Sequence, residues 1–140
     1  ERVINYVKHF SLALIFSASP TPSSVAAALA ALTILEKEPE RVTNLINNAN
    51  YMRKGLKEKG FKIIDGRTAI VPVIVGNDDV ALKMWRILYD NGVFVNVFVP
   101  PGVPEGRQMM RTSYMATHKK EHLDEIIYVF EKAGKMLGLI

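Results

Sequence analysis

The sequence predicts an α+β domain, a mostly antiparallel sheet with helices packed on one of its faces. Three observations carry this. Apolar residues recur at helical spacing toward both ends of the chain. Between them lie runs rich in Val and Ile with strand character. The links joining those runs are short, which favours antiparallel neighbours. The reading gives one compact domain over residues 22–140, with residues 1–21 as an N-terminal arm.

The elements follow in order. Leu12–Phe16 is a short apolar segment, and Pro20-Thr21-Pro22-Ser23-Ser24 breaks the chain and starts a helix. Val25, Ala28, Leu29, Leu32 and Leu35 then repeat at helical spacing until Glu38-Pro39 interrupts them, with Pro39 suited to the first turn of the next helix. That second helix carries Val42, Leu45, Ile46, Ala49, Met52 and Leu56 on one face, and Gly60 supplies its left-handed terminus.

Phe61–Ile64 and Ala69–Val75 read as strands flanking an Asp65-Gly66 turn. Asn77, Asp78 and Asp79 offer an N-cap and first-turn carboxylates to a helix bearing Val80, Met84, Trp85 and Leu88, which Asn91-Gly92 ends. Val93–Val99 is a strand, Pro100-Pro101-Gly102-Val103-Pro104 a stiff extended loop, and Met109–Met115 another strand. The final helix spans Lys119–Gly138 with Ile126, Ile127, Phe130 and Leu137 inward.

Composition narrows the function classes. The net charge is +4, but Lys and Arg are dispersed among Glu and Asp, the pattern of a solvated surface rather than a nucleic-acid footprint. The chain has no cysteine, which excludes disulfides and thiolate metal sites. The apolar stretches Ser11–Ala18 and Val25–Leu35 are too short or too polar to span a bilayer. A start at Glu1, with a first segment Glu1–Phe16 lacking a packing partner of its own, reads as a piece of a longer polypeptide.

Catalytic signatures are scarce: no phosphate-binding loop, dinucleotide fingerprint or nucleophile elbow is present. His118 and His122 have the spacing of a metal pair but no further ligand cluster, so a cap or surface role is the better reading. The informative stretch is Pro100–His118. Its three prolines, Pro100, Pro101 and Pro104, fix φ and remove backbone donors, so the loop holds one shape beside a ligand. Arg111 lies in a strand, and alternation puts it on one face with Met109, Ser113 and Met115. A guanidinium among apolar neighbours needs an anionic partner. Arg suits a bidentate carboxylate contact. An internal pairing with Glu105 or Asp124, or extension to solvent, satisfies the same requirement.

These residues resemble a known group. Phe16-Ser17-Ala18-Ser19-Pro20, then AIVPVIV (Ala69–Val75), GVFVNVFVPPGVPEGRQMMRTSYMATH (Gly92–His118) and a closing amphipathic helix are similar to the pyridoxal-phosphate-dependent α-oxoamine synthases of fold type I. The likeness covers essentially the whole chain. Within the group it leans toward the serine palmitoyltransferases, through Phe16–Ser19, Met84-Trp85 followed by Leu88, Gly92–Asn96, Pro100–Pro104 and Ala133–Ile140. The 8-amino-7-oxononanoate synthases and 2-amino-3-ketobutyrate CoA ligases are the alternatives. A departure is His118-Lys119, where the group has His-Thr, which leaves Thr117 or His118 to cap the last helix.

The resemblance implies the C-terminal part of a homodimeric acyltransferase that condenses an amino acid, L-serine in the favoured subgroup, with an acyl-CoA and releases CO2. It implies pyridoxal 5'-phosphate held by a lysine outside this chain, so that the chain alone is inactive. It implies Arg111 on the substrate carboxylate, Pro100, Pro101 and Pro104 at the substrate entrance, and Ser17 and Ser19 near the cofactor phosphate. It implies no catalytic residue within these 140 residues and no metal. The expected setting is cytoplasmic, with membrane association left open. A rival reading of another class is a non-catalytic amino-acid-binding or interaction module.

Overall fold

The computed structural model describes all residues, Glu1–Ile140. The chain divides into two compact units, Glu1–Glu38 and Pro39–Ile140. The first holds α1 (Arg2–Phe10), α2 (Leu12–Ile15) and α3 (Pro22–Lys37). Its helix starts follow local chemistry: the Ser11 hydroxyl accepts the Leu14 N–H, and Thr21 accepts the Ser24 N–H, with Pro22 at the first helical position. No residue of these three helices is buried, and Tyr6 stacks on Phe10 with centroids 4.6 Å apart.

The second unit holds α4 (Glu40–Glu58), β1 (Ile70–Ile74), α5 (Asp78–Asp90), β2 (Asn96–Phe98), β3 (Met109–Ser113) and α6 (Lys120–Met136). The three strands form one antiparallel sheet in the order β1-β3-β2, the α+β arrangement expected from the sequence. Helices α4, α5 and α6 supply the rest of the core. Met52 and Leu56 of α4, Met84 and Leu88 of α5, and Phe130 of α6 are fully buried with Val71, Val73 and Met110 from the sheet. The 3.6-residue period of each helix and the two-residue period of each strand put these positions on inner faces.

Close packing depends on small residues. A Cβ at Gly134 of α6 would sit 2.6 Å from the Phe61 ring, so only glycine admits that ring beneath the helix. Phe61 meets Phe130 edge to face, with centroids 5.8 Å apart. Gly60 takes φ 95 at the end of α4, and Asn77 caps α5 through the Val80 N–H, both as the sequence predicts.

Three expected elements differ. Phe61–Ile64 is not a strand: only Ile63 bridges to Val73, while Ile64 N–H donates to Pro72 O and Ile74 N–H to Lys62 O. Pairing stops there because an arginine from α4 takes the next carbonyl along β1, as described below. The strand expected over Val93–Val99 shortens to Asn96–Phe98, and Val93–Val95 with Thr112–Tyr114 line a cleft of about 400 Å³ beside its start. The strand expected to reach Met115 ends at Ser113.

The start of α6 corrects the expected cap. Lys119 occupies the N-cap position, and its N–H donates to Nδ1 of His122, 3.3 Å away. Neither Thr117 nor His118 caps this helix. The Met115 N–H donates to Nδ1 of His118 at 3.2 Å and so closes the preceding turn. An accepting Nδ1 must be unprotonated. Desolvation first, and the neighbouring His122 second, lower the His118 pKa from its ordinary value. Tyr114 and His122 face this ring, and Glu125 lines the cleft beside it.

A lowered folded-state pKa means that the unfolded chain binds more protons, so the contribution of His118 is fully present above about pH 6.5 and fades as pH falls through that value. The urea midpoint of wild type is therefore expected to drop between pH 7.5 and 5.5. It should drop less in His118→Asn, whose side chain does not titrate. Equal drops in both proteins would remove His118 as the cause.

Candidate functional site

Arg111 sits in the middle of the middle strand. Its Cα partners are Pro72 on β1 and Asn96 on β2. The flanking residues Met110 and Thr112 are buried on the core face, so Arg111 emerges on the outer face with Met109 and Ser113, as alternation predicts. Met115 lies past the end of the strand and is exposed. The rest of the outer face is apolar apart from Asn96 of β2: Ile70, Pro72 and Ile74 from β1 and Phe98 from β2.

The half-buried guanidinium has no carboxylate. Of the two acids considered from the sequence, Asp124 accepts hydrogen bonds from Lys120 and Tyr51, and Glu105 is exposed and not paired with Arg111. The Arg111 Nε is buried without a hydrogen-bond partner. What holds the group is Phe98: Cζ lies 5.0 Å from the ring centroid. The ring supports the cation from one side, and the terminal N–H groups of the guanidinium have no carboxylate partner within the chain. Pairing register sets this contact, since Phe98 stands opposite Met109, one diagonal step from Arg111.

The proline loop connects directly to that support. Pro100-Pro101 is a cis peptide, and Gly102 N–H donates to Val99 O at 2.9 Å, closing a turn immediately after Phe98. A Cβ at Gly102 would lie 3.9 Å from the Phe98 ring, so the turn borders the ring. Pro100 is half-buried, Pro101 and Pro104 are exposed, and Pro104 O accepts the Arg107 N–H. The loop ends at buried Gln108, whose side-chain Nε2 donates to Asp78 at the start of α5, while its backbone carbonyl accepts Val75 and Gly76 N–H. Both ends of the loop are thus tied down.

Ser17 and Ser19 belong to the first unit and are exposed. The Ser17 hydroxyl donates to Leu14 O at 2.7 Å, whereas Ser19 has no such bond. Sequence reasoning missed Phe98 and Arg53. The signal for Phe98 was its spacing of two from Asn96 in a strand followed by the proline loop. Arg53 is buried in α4, and its guanidinium donates to Asn50 Oδ1 at 2.9 Å, to Thr68 O, and to Ile70 O at 3.2 Å. It thereby completes the outer edge of β1 where Lys62–Ile64 no longer pairs. Tyr114 is buried at the end of β3, and burial pushes its phenol pKa up to about 12, which makes it a core group rather than an acid–base one.

The Phe98 contact predicts a measurable effect. Phe98→Ala is expected to weaken binding of a small carboxylate at Arg111 about fivefold, the size of a partly desolvated cation–π contact of ~1 kcal/mol. Phe98→Tyr should retain binding. Titration with small carboxylates checks this, and unchanged affinity in the alanine variant would sever Phe98 from Arg111.

The pattern of the family described as aminotransferase class I and II matches residues 1–130. The chain is 39% identical over 136 residues to serine palmitoyltransferase of Bacteriovorax stolpii, covering 97% of this chain and 32% of that protein. It is 38% identical over 136 residues to 8-amino-7-oxononanoate synthase of Lysinibacillus sphaericus, covering 97% of this chain and 35% of that one. It therefore spans about a third of the length of the curated relatives it matches. Among solved structures, a serine palmitoyltransferase from S. paucimobilis with bound PLP-myriocin aldimine superposes with TM-score 0.90 at 32% identity, over 100% of this chain and 36% of that one. The high-resolution structure of SPT with PLP internal aldimine gives 0.88 at 32% identity, over 98% and 35%.

Proposed function

Because the chain belongs to the aminotransferase class I and II family, we propose that it is the C-terminal part of an acyltransferase condensing an amino acid with an acyl-CoA. The reaction would form a bond between the amino-acid α-carbon and the thioester carbonyl carbon, expel the CoA thiolate and release the carboxyl group as CO2. The observation that carries the reading is Arg111: a half-buried cation with no internal carboxylate, lying over the Phe98 ring in the centre of a largely apolar sheet face. Such a group is poised for a small carboxylate. Arg111 would fix the α-carboxylate and so orient the bonds at the α-carbon, a positioning contribution. Pro100, Pro101 and Pro104 would wall the substrate entrance with a loop that needs no ordering on binding.

Solved relatives contain PLP, which supplies an electron sink for charge developing at the α-carbon. The hydroxyls of this chain fit its phosphate unequally. Ser19 is exposed and free to donate, but Ser17 already spends its O–H on Leu14 O and would have to rotate. A lysine elsewhere in the full-length polypeptide would bind the cofactor, so this chain alone would be inactive. Residues 1–21 would continue from the cofactor-binding domain, with residues 22–140 as the small domain of a homodimeric cytoplasmic enzyme.

L-Serine is the favoured amino acid, from the likeness to serine palmitoyltransferases, and the similarity to an 8-amino-7-oxononanoate synthase keeps that activity as the second reading. The test is CoA thiol release by the purified full-length protein with long-chain acyl-CoA and L-serine, L-alanine or glycine. Serine-dependent release with matching CO2 is expected. Alanine- or glycine-dependent release would overturn the serine assignment. Binding of an amino acid without thiol release from any acyl-CoA would favour a non-catalytic module.

A further inference from the structure

The outer sheet face carries three polar side chains among apolar ones: Asn96, Arg111 and Ser113. Asn96 interrupts the run Val93–Val99, otherwise wholly apolar, and asparagine is disfavoured in strands. It is the Cα partner of Arg111 across the β2–β3 ladder, so the two side chains leave the same face with Cβ atoms roughly 5 Å apart. Its side chain is exposed, and its amide forms no hydrogen bond within the chain. Ser113 stands opposite Ile70 instead, a two-residue step of roughly 7 Å along the strand from Arg111.

A carboxylate offers about four lone-pair sites, and a bidentate guanidinium occupies two of them. The others need donors when the surroundings are apolar. We propose that Asn96 is a second substrate-binding residue, whose Nδ2–H donates to the α-carboxylate held by Arg111; this rests on the reading of Arg111 given above. As a neutral donor it adds a hydrogen bond without placing a second charge beside the guanidinium. Its contact is with the group common to all α-amino acids, so it contributes affinity equally for each of them.

The test uses the full-length holoenzyme, titrated with glycine, L-alanine and L-serine and followed by the change in cofactor absorbance. Asn96→Ala is expected to weaken all three by about fivefold, the loss of one ordinary hydrogen bond. Asn96→Asp, which keeps the shape but presents an anion, is expected to weaken them by roughly fiftyfold or more. Cofactor content should stay unchanged in both. Unchanged affinity in Asn96→Ala overturns the proposal, as does a loss confined to serine, which would place the amide on the substrate hydroxyl. Arg111→Ala run in parallel separates the two readings. If it binds weakly while Asn96→Ala binds normally, only the Asn96 assignment fails; if it binds normally, the Arg111 reading fails.

Discussion

Arg111→Ala in the full-length protein is expected to weaken amino-acid binding by about two orders of magnitude, close to 3 kcal/mol, the range for truncating one partner of a hydrogen-bonded charge pair. The substitution leaves the carboxylate without a cation on a face where Ile70, Pro72, Ile74, Met109 and Phe98 have no side-chain donor and Asn96 offers only a neutral one. Arg111→Lys should recover only part of the loss. An ammonium is a point charge, so it gives up both the fork and the flat contact with Phe98. Cofactor content and melting temperature should hold in both variants, because the Arg111 guanidinium contributes no ion pair to the fold. Amino-acid titration reads the effect, and wild-type affinity for L-serine in Arg111→Ala would refute the carboxylate role.

Arg53→Ala is expected to act on stability rather than on binding, with a loss of about 3 kcal/mol. The guanidinium is buried between α4 and the leading end of β1, where it donates to Thr68 O and Ile70 O. Ala69, between them, faces the other way and accepts the Tyr114 N–H. Truncation would take the donor from two carbonyls at the strand edge and open a cavity beneath the strand. Part of the loss is offset because a buried cation with no carboxylate, and with Nε unpaired, is removed. Arg53→Met separates the contributions, since it restores the apolar stem but not the donors. Urea midpoints of the full-length variants should rank wild type above Arg53→Met above Arg53→Ala. A methionine variant as stable as wild type would mean that packing, not hydrogen bonding, holds the arginine there.

Neither arginine was equally visible beforehand. Arg111 stood out as a cation in a Met-rich strand, and its face followed from alternation alone. Arg53 is not among the apolar positions, Val42, Leu45, Ile46, Ala49, Met52 and Leu56, by which the inner face of that helix is read. Yet Ala49, Met52, Arg53 and Leu56 follow the helical stripe of spacings three, four and seven, and position 53 lies inside that stripe. The signal was present, but it pointed to a buried charge whose partners, the carbonyls of Thr68 and Ile70, are 15 and 17 residues away. The cap of α6 shows the same limit at short range. His122 serves where Thr117 or His118 was expected, because the chain enters the helix one residue later, at Lys119.

What the sequence determined by itself was local and periodic. It placed the breaks at Pro22 and Pro39, the cap at Asn77, the turn at Gly60 and most of the inner faces of α4, α5 and α6, although Val42, read as inward on α4, is exposed. It also set the parity that puts Arg111 opposite to Met110 and Thr112. These follow from the conformational preferences of single residues and from repeats within one element, which neighbouring residues decide. Only the tertiary structure decided that β3 lies between β1 and β2, that Phe98 sits beneath Arg111 and that Asn96 stands across from it. It also decided that Arg53, not a longer strand over Phe61–Ile64, completes the edge of β1. Strand order and register are settled by which apolar faces can be buried together, a property of residues far apart in the chain.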